Sequence, residues 1–164
     1  MLFRSVFLVH PGGPFWAKKD NGAWSIPKGE FEDAENPLDA AQREFSEETG
    51  QTAAGEFLEL APIKQPSGKT IVAWAVQGDF DATQIRSNTF TLEWPPKSGQ
   101  TKEFPEVDKA GWFPLSQARE KLIAGQLGFL EDLMARLKSL NASLESVVVQ
   151  GAPPSKGGPQ GSLF

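Results

Sequence analysis

Gly29 to Gln51, GEFEDAENPLDAAQREFSEETGQ, is the stretch that decides the fold. Its second half carries the marks of a helix over Pro37 to Thr49. Asn36 can cap it, Pro37 takes the first helical position and Asp39 suits a capping box. Gly50 suits the left-handed stop that ends many helices. On this helix Glu44, Glu47 and Glu48 stand at i, i+3 and i+4 and project from one face. Such a face is either a solvated acidic surface or a site for a hard cation. Mg²⁺ or Mn²⁺ prefers carboxylate oxygens and keeps several waters, which leaves room for phosphate oxygens.

Charge along the chain singles out the same stretch. The 164 residues carry 21 acidic and 16 basic side chains, a net of −5. Gly29 to Gly50 holds Glu30, Glu32, Asp33, Glu35, Asp39, Glu44, Glu47 and Glu48 against Arg43 alone, a net of −7. The rest of the chain therefore sums to +2, and the excess acid is local. An apolar share of 39% with 23% charge fits a soluble globular chain of one-domain length. The absence of cysteine excludes disulfides, thiolate metal sites and a cysteine nucleophile. It is compatible with a reducing compartment, and a cytoplasmic location is the expectation. No apolar run approaches a membrane span, and the start MLFRSVFLVHPGG lacks the parts of a signal peptide. No basic stripe marks a surface for long nucleic acid.

Other elements follow from pattern. Leu2 to Val9 is rich in strand formers, and HPGGPFW after it is a loop. Short strands are expected over Ala23 to Ile26, Thr52 to Leu60, Asn88 to Trp94 and Ala110 to Phe113. Thr70 to Gln77, apolar on both faces, suggests a central strand. Pro95 to Pro105 has the composition of a polar loop. A second helix is expected from Ser116, with a break around Gly125–Gly128 and a resumption at Phe129. There Leu130, Leu133, Met134 and Leu137 follow at helical spacing. From Gly151 seven of fourteen residues are Gly or Pro, which suggests an extended tail. The expected division is a domain over 1–140 and a Gly/Pro-rich tail over 141–164.

The spacing in the decisive stretch resembles the Nudix box. Gly29 is followed by five residues, Glu35, seven residues, then Arg43-Glu44-Phe45-Ser46-Glu47-Glu48-Thr49-Gly50. Every charged and glycine position of that signature is matched. One position departs: the final apolar residue is Gln51. Trp24-Ser25-Ile26-Pro27-Lys28-Gly29 is similar to an entry segment of several Nudix subgroups. Pro105-Glu106-Val107 and Trp112-Phe113-Pro114-Leu115 are similar to the family's late loop, strand and helix. The likeness spans about residues 2 to 140, with fewer residues before the first strand than is usual in the family.

The resemblance implies an α/β fold, an α/β/α sandwich with a mixed β-sheet. It implies Mg²⁺-dependent (or Mn²⁺-dependent) hydrolysis of a diphosphate linkage in a nucleoside polyphosphate or dinucleoside polyphosphate. Glu44 and Glu48 would be the best metal pair, with Glu47 a third ligand or the base. Arg43 would orient a carboxylate of the box through its planar fork. Gly29 would let the backbone turn beside the metal, Lys28 would contact a phosphate, and Glu35 would be structural. Glu106 is the first distant candidate for the general base and Glu103 its rival. Trp16 and Trp94, in loop-like settings, are the candidates for stacking on a base, while Trp74 and Trp112 suit the core. His10 is given no role. The expected partner is a small nucleoside diphosphate-linked molecule, with oligomeric state open. The alternatives are a Nudix-fold sensor that binds without hydrolysis and a house-cleaning nucleoside triphosphate pyrophosphatase.

Overall fold

Alternate residues of the strand β1, Ser5–Pro11, point to opposite faces of the sheet, and this alternation sets the layers. Val6 and Leu8 join one core cluster, and Phe7 and Val9 join another. The first cluster includes Phe129, Leu130, Leu133 and Leu137. The second includes Phe45. A helix therefore covers each face. The structure, a computed structural model, describes residues 5–28, 35–139 and 146–152.

The helices are α1, Pro37–Thr49; α2, Leu115–Lys121; and α3, Leu127–Ser139. A short 3₁₀ turn, Ala124–Gln126, separates the last two and realises the expected break. After β1 come β2, Leu58–Glu59; β3, Ile63–Lys64; β4, Thr70–Gln77; β5, Thr89–Glu93; β6, Thr101–Pro105; β7, Val107–Pro114; and β8, Ser146–Ala152. The main sheet runs β2-β4-β8-β1-β7, with β3 also on the edge of β4. β1 pairs antiparallel with β7 and parallel with β8. The sheet is thus mixed and sits between α1 and α3, the sandwich expected from the resemblance.

Four expectations need correction. Part of the supposed loop over Pro95 to Pro105 is β6, which pairs antiparallel with β5 as a separate two-stranded sheet. Its polar composition reflects exposure: Thr101, Lys102, Glu103 and Pro105 are all exposed, so no apolar alternation betrays the strand. The boundary at residue 140 also does not match the sheet. β8 lies between β4 and β1, with Val72↔Ala152 through Gln77↔Val147 in register, so a segment assigned to the tail forms a central strand. Thr52 to Leu60 yields only the two residues of β2. Trp24 and Ser25 make isolated bridges, with Leu122 and Val9, in place of a full strand over Ala23 to Ile26.

His10 is buried at the end of β1, within 2.8 Å of Asp108 on β7 and 2.6 Å of the Lys19 carbonyl. It ties the loop after β1 to the strand beside it.

Candidate active site

The helix α1 delivers its glutamates through its own burial pattern. It buries Ala40, Glu44 and Glu48 in one row and Ala41, Phe45 and Thr49 in the next. Residues four apart share a helix face. Phe45, packed 5.9 Å from the Phe7 ring, holds that face on the sheet, and Glu44 and Glu48 turn inward with it. The helix ends are fixed as the sequence suggests. Asn36 Oδ1 accepts from the Leu38 and Asp39 N–H groups at 2.9 and 3.3 Å. Gly50, at φ 74°, donates its N–H to the Ser46 carbonyl at 2.7 Å. A side chain there would meet Arg86 Cβ at 2.9 Å, so both backbone and space require glycine.

Glu48 is fully buried, and among the described residues neither carboxylate oxygen has a partner at good hydrogen-bonding geometry. Burial raises its pKa well above the ordinary value, and the Glu44 charge raises it further; the charge and backbone of Lys28 oppose this. Glu44 is pushed up to about 7, first by burial and then by Glu47. A buried carboxylate left without donors is costly. Two buried carboxylates one helical turn apart, one of them with orphaned oxygens, suit a divalent cation with oxygen ligands. Glu44 and Glu48 therefore fit the metal that the resemblance implies.

Glu47 is directed elsewhere. Arg43 stands four residues before it, the helical spacing for an ion pair. Its Nη1 donates to Glu44 Oε1 at 3.0 Å and to Glu47 Oε2 at 3.1 Å. Its Nε and Nη2 donate to the two oxygens of Glu35 at 2.8 and 2.9 Å. The guanidinium thus links three carboxylates, and these contacts, Glu35 first, raise its own pKa. Arg43 thereby ties Glu35, ahead of the helix, to Glu44 and Glu47 on it. No three His, Cys, Asp or Glu side chains among the described residues form a ready metal cage.

Glu106 follows β6 and is half-buried beside this group. Its charge acts on both Glu44 and Glu48, and burial followed by the Glu47 charge raises its own pKa. Glu103 lies on the exposed hairpin, where its carboxylate accepts from the Thr89 hydroxyl. Of the two distant candidates, Glu106 is the one brought to the box.

The remaining candidates divide. Lys28 is buried, and its charge acts on Glu48. Gly29 lies outside the described residues. Trp16 is half-buried beneath Lys19 Nζ, 5.0 Å from its ring centre. Trp94 sits edge-on to Phe15 at 5.4 Å. Phe15, 58% exposed, was missed because a Gly- and Pro-rich loop gives no pattern for its side chain. That loop lies against the Glu106 turn, since Gly12 N–H donates to the Glu106 carbonyl at 2.9 Å. Trp74 is buried, as expected. Trp112 packs on Phe7 and donates its indole N–H to the Phe80 carbonyl at 2.6 Å.

Comparison with known proteins agrees with this geometry. The NUDIX domain model matches residues 4–133. An RNA pyrophosphohydrolase of Brucella anthropi is 27% identical over 128 residues, 73% of this chain and 72% of that protein. An RNA pyrophosphohydrolase of Mesorhizobium japonicum is 28% identical over 132 residues, 71% of each chain. An 8-oxo-(d)GTP phosphatase of Mycolicibacterium smegmatis is 33% identical over 104 residues, 60% of this chain and 26% of that longer protein. No solved structure matches the chain. No helix among the described residues is long and apolar enough to cross a membrane. The chain is thus a pyrophosphohydrolase acting on phosphoric anhydride bonds, and it belongs to the NUDIX family.

Proposed function

We propose that the enzyme is Mg²⁺-dependent, with Mn²⁺ as a substitute, and cleaves a diphosphate linkage in a nucleoside polyphosphate or dinucleoside polyphosphate. The observation that carries this reading is the buried Glu48 carboxylate, one turn from Glu44, whose oxygens have no partner at good hydrogen-bonding geometry among the described residues. Glu44 and Glu48 would hold the cation, and Glu47 would join them on release from Arg43. A bound divalent ion there would screen the phosphate charge and stabilise the leaving oxygen. Arg43 keeps the Glu44 and Glu47 carboxylates oriented through its fork. Glu106 is the proposed general base: its carboxylate takes the proton of the attacking water. Its raised pKa supports that role by bringing proton affinity closer to neutral pH. Lys28 supports the site from within, by balancing the charge of Glu48. Trp94 with Phe15, and Trp16 across the same loop, supply aromatic surface for a base.

Beside this class, a pyrophosphate linkage on RNA is favoured by the relatives named RNA pyrophosphohydrolase. The relative named 8-oxo-(d)GTP phosphatase supports the house-cleaning alternative. The test is a panel of nucleoside triphosphates, 8-oxo-dGTP, dinucleoside polyphosphates, ADP-ribose, 5′-triphosphorylated RNA and capped RNA, each with and without Mg²⁺ or Mn²⁺. Cation-dependent release of phosphate or pyrophosphate from polyphosphate members is expected. Binding without turnover across the panel would favour the sensor instead. Hydrolysis in ¹⁸O-labelled water then locates the attacked phosphorus.

A further inference from the structure

The proposed base, Glu106, is on a turn that follows a hairpin separate from the main sheet, while the proposed metal pair is on a helix. Something must fix one against the other. The last turn of α1 offers free carbonyls, as every helix end does. The Glu47 carbonyl accepts the Asn88 N–H at 3.0 Å, and the Thr49 carbonyl accepts the Arg86 N–H at 2.8 Å. Asn88 then accepts the Glu106 N–H on its own carbonyl at 2.8 Å. A single backbone unit thus joins the box helix to the base.

One side chain completes the junction. Ser87 Oγ accepts the Val107 N–H at 2.9 Å and donates to the Asn88 carbonyl at 2.7 Å. It therefore touches both the residue after Glu106 and the carbonyl that holds Glu106. On the far side, the Glu106 carbonyl is held by Gly12 N–H.

We propose that Ser87 is a positioning residue, whose hydroxyl clips the Glu106 turn to the end of α1 and so sets the base against the Glu44–Glu48 pair. This rests on the reading of Glu106 as the base. A misplacement of about 1 Å can cost on the order of a hundredfold in rate. Loss of the clip therefore acts on the chemical step and leaves substrate binding alone.

The experiment compares the full-length wild type with Ser87→Ala, Ser87→Thr, Glu106→Gln and the Ser87→Ala/Glu106→Gln double variant. The substrate is the panel member that the wild type turns over fastest, with Mg²⁺. Ser87→Ala should lower kcat by about 10- to 100-fold with KM changed less than about twofold, and Ser87→Thr, which keeps the hydroxyl, should restore most of it. In the Glu106→Gln background the same substitution should have little further effect, because residues acting through one group are not additive. An equal loss in both backgrounds, or a rise in KM alone, would overturn the clip while leaving Glu106 as the base. A Glu106→Gln enzyme at the wild-type rate would overturn the base assignment and the clip with it. Thermal melting of each variant separates a rate effect from loss of fold.

Discussion

Arg43 grips both oxygens of the Glu35 carboxylate, through Nε at 2.8 Å and Nη2 at 2.9 Å. The same guanidinium reaches Glu44 and Glu47 through Nη1. Glu35 precedes the helix, so the contact braces the fork from outside α1 and leaves one nitrogen for the box. A lysine would keep the charge but offers no planar fork. Arg43→Lys should therefore lower kcat by roughly 10- to 100-fold, the range seen when groups behind metal ligands are removed. Weaker Mn²⁺ binding by titration calorimetry should accompany it. Unchanged kcat and Mn²⁺ affinity would reduce Arg43 to a surface ion pair.

The carboxyls of the site also set a pH dependence. Glu44 is pushed up from 4.5 to about 7, and Glu48 is raised too. A carboxyl with a raised folded-state pKa binds its proton more tightly in the native state. The stability this contributes is full below the unfolded value and is lost as pH rises through the folded one. Metal-free protein should therefore melt at falling temperatures from about pH 4.5 to pH 7 and beyond. Mg²⁺ should restore stability mainly at the upper end, where the carboxylates are charged. A metal-free melting temperature that rises through this window would contradict the burial of these groups.

Gln150 on β8 is fully buried, and among the described residues neither its amide oxygen nor its nitrogen has a hydrogen-bond partner. An orphaned buried amide costs about 1–3 kcal/mol. Gln150→Leu, similar in size and free of polar atoms, should add about 1 kcal/mol, or ~2–4 °C in melting temperature. A lower melting temperature would show that the amide is paired in solution.

Trp94 and Phe15 meet edge to face at 5.4 Å, across the loop whose Gly12 touches Glu106. If a base stacks here, its removal should cost about 1–3 kcal/mol of binding. Trp94→Ala should then raise KM about 5- to 150-fold with kcat within about threefold. A KM that does not move would leave the pair as packing between loop and hairpin.

The helix α1 was legible to its end residues because its signals are local: a cap at Asn36, proline at the first turn, glycine at the stop. That Glu44 and Glu48, the proposed metal pair, share one face was legible for the same reason, since helical spacing alone puts them there. Glu47 shares that spacing but is claimed by Arg43, and only the folded geometry distinguishes it from its neighbours. β8 was not legible, because its identity comes from pairing with β4 and β1, far away in sequence, and Gly151 sits at its end. The hairpin of β5 and β6 was half legible: exposed on most of its surface, it has little apolar alternation to report. Ser87 gives no sequence signal, since its partner Val107 lies twenty residues on. Phe15 marks the same limit. Loops carry function, and their side chains are positioned by contacts that no periodicity describes.

The central claim is that the Glu44–Glu48 pair holds the catalytic cation. Its most direct test is steady-state turnover of Glu48→Gln on the best polyphosphate substrate, with saturating Mg²⁺, beside metal-free melting of both proteins. Glutamine keeps the shape and removes the buried charge. A loss of at least about a hundredfold in kcat is expected, together with a metal-free melting temperature at pH 8 no lower than that of the wild type. Turnover at the wild-type rate with Mg²⁺ would contradict the claim.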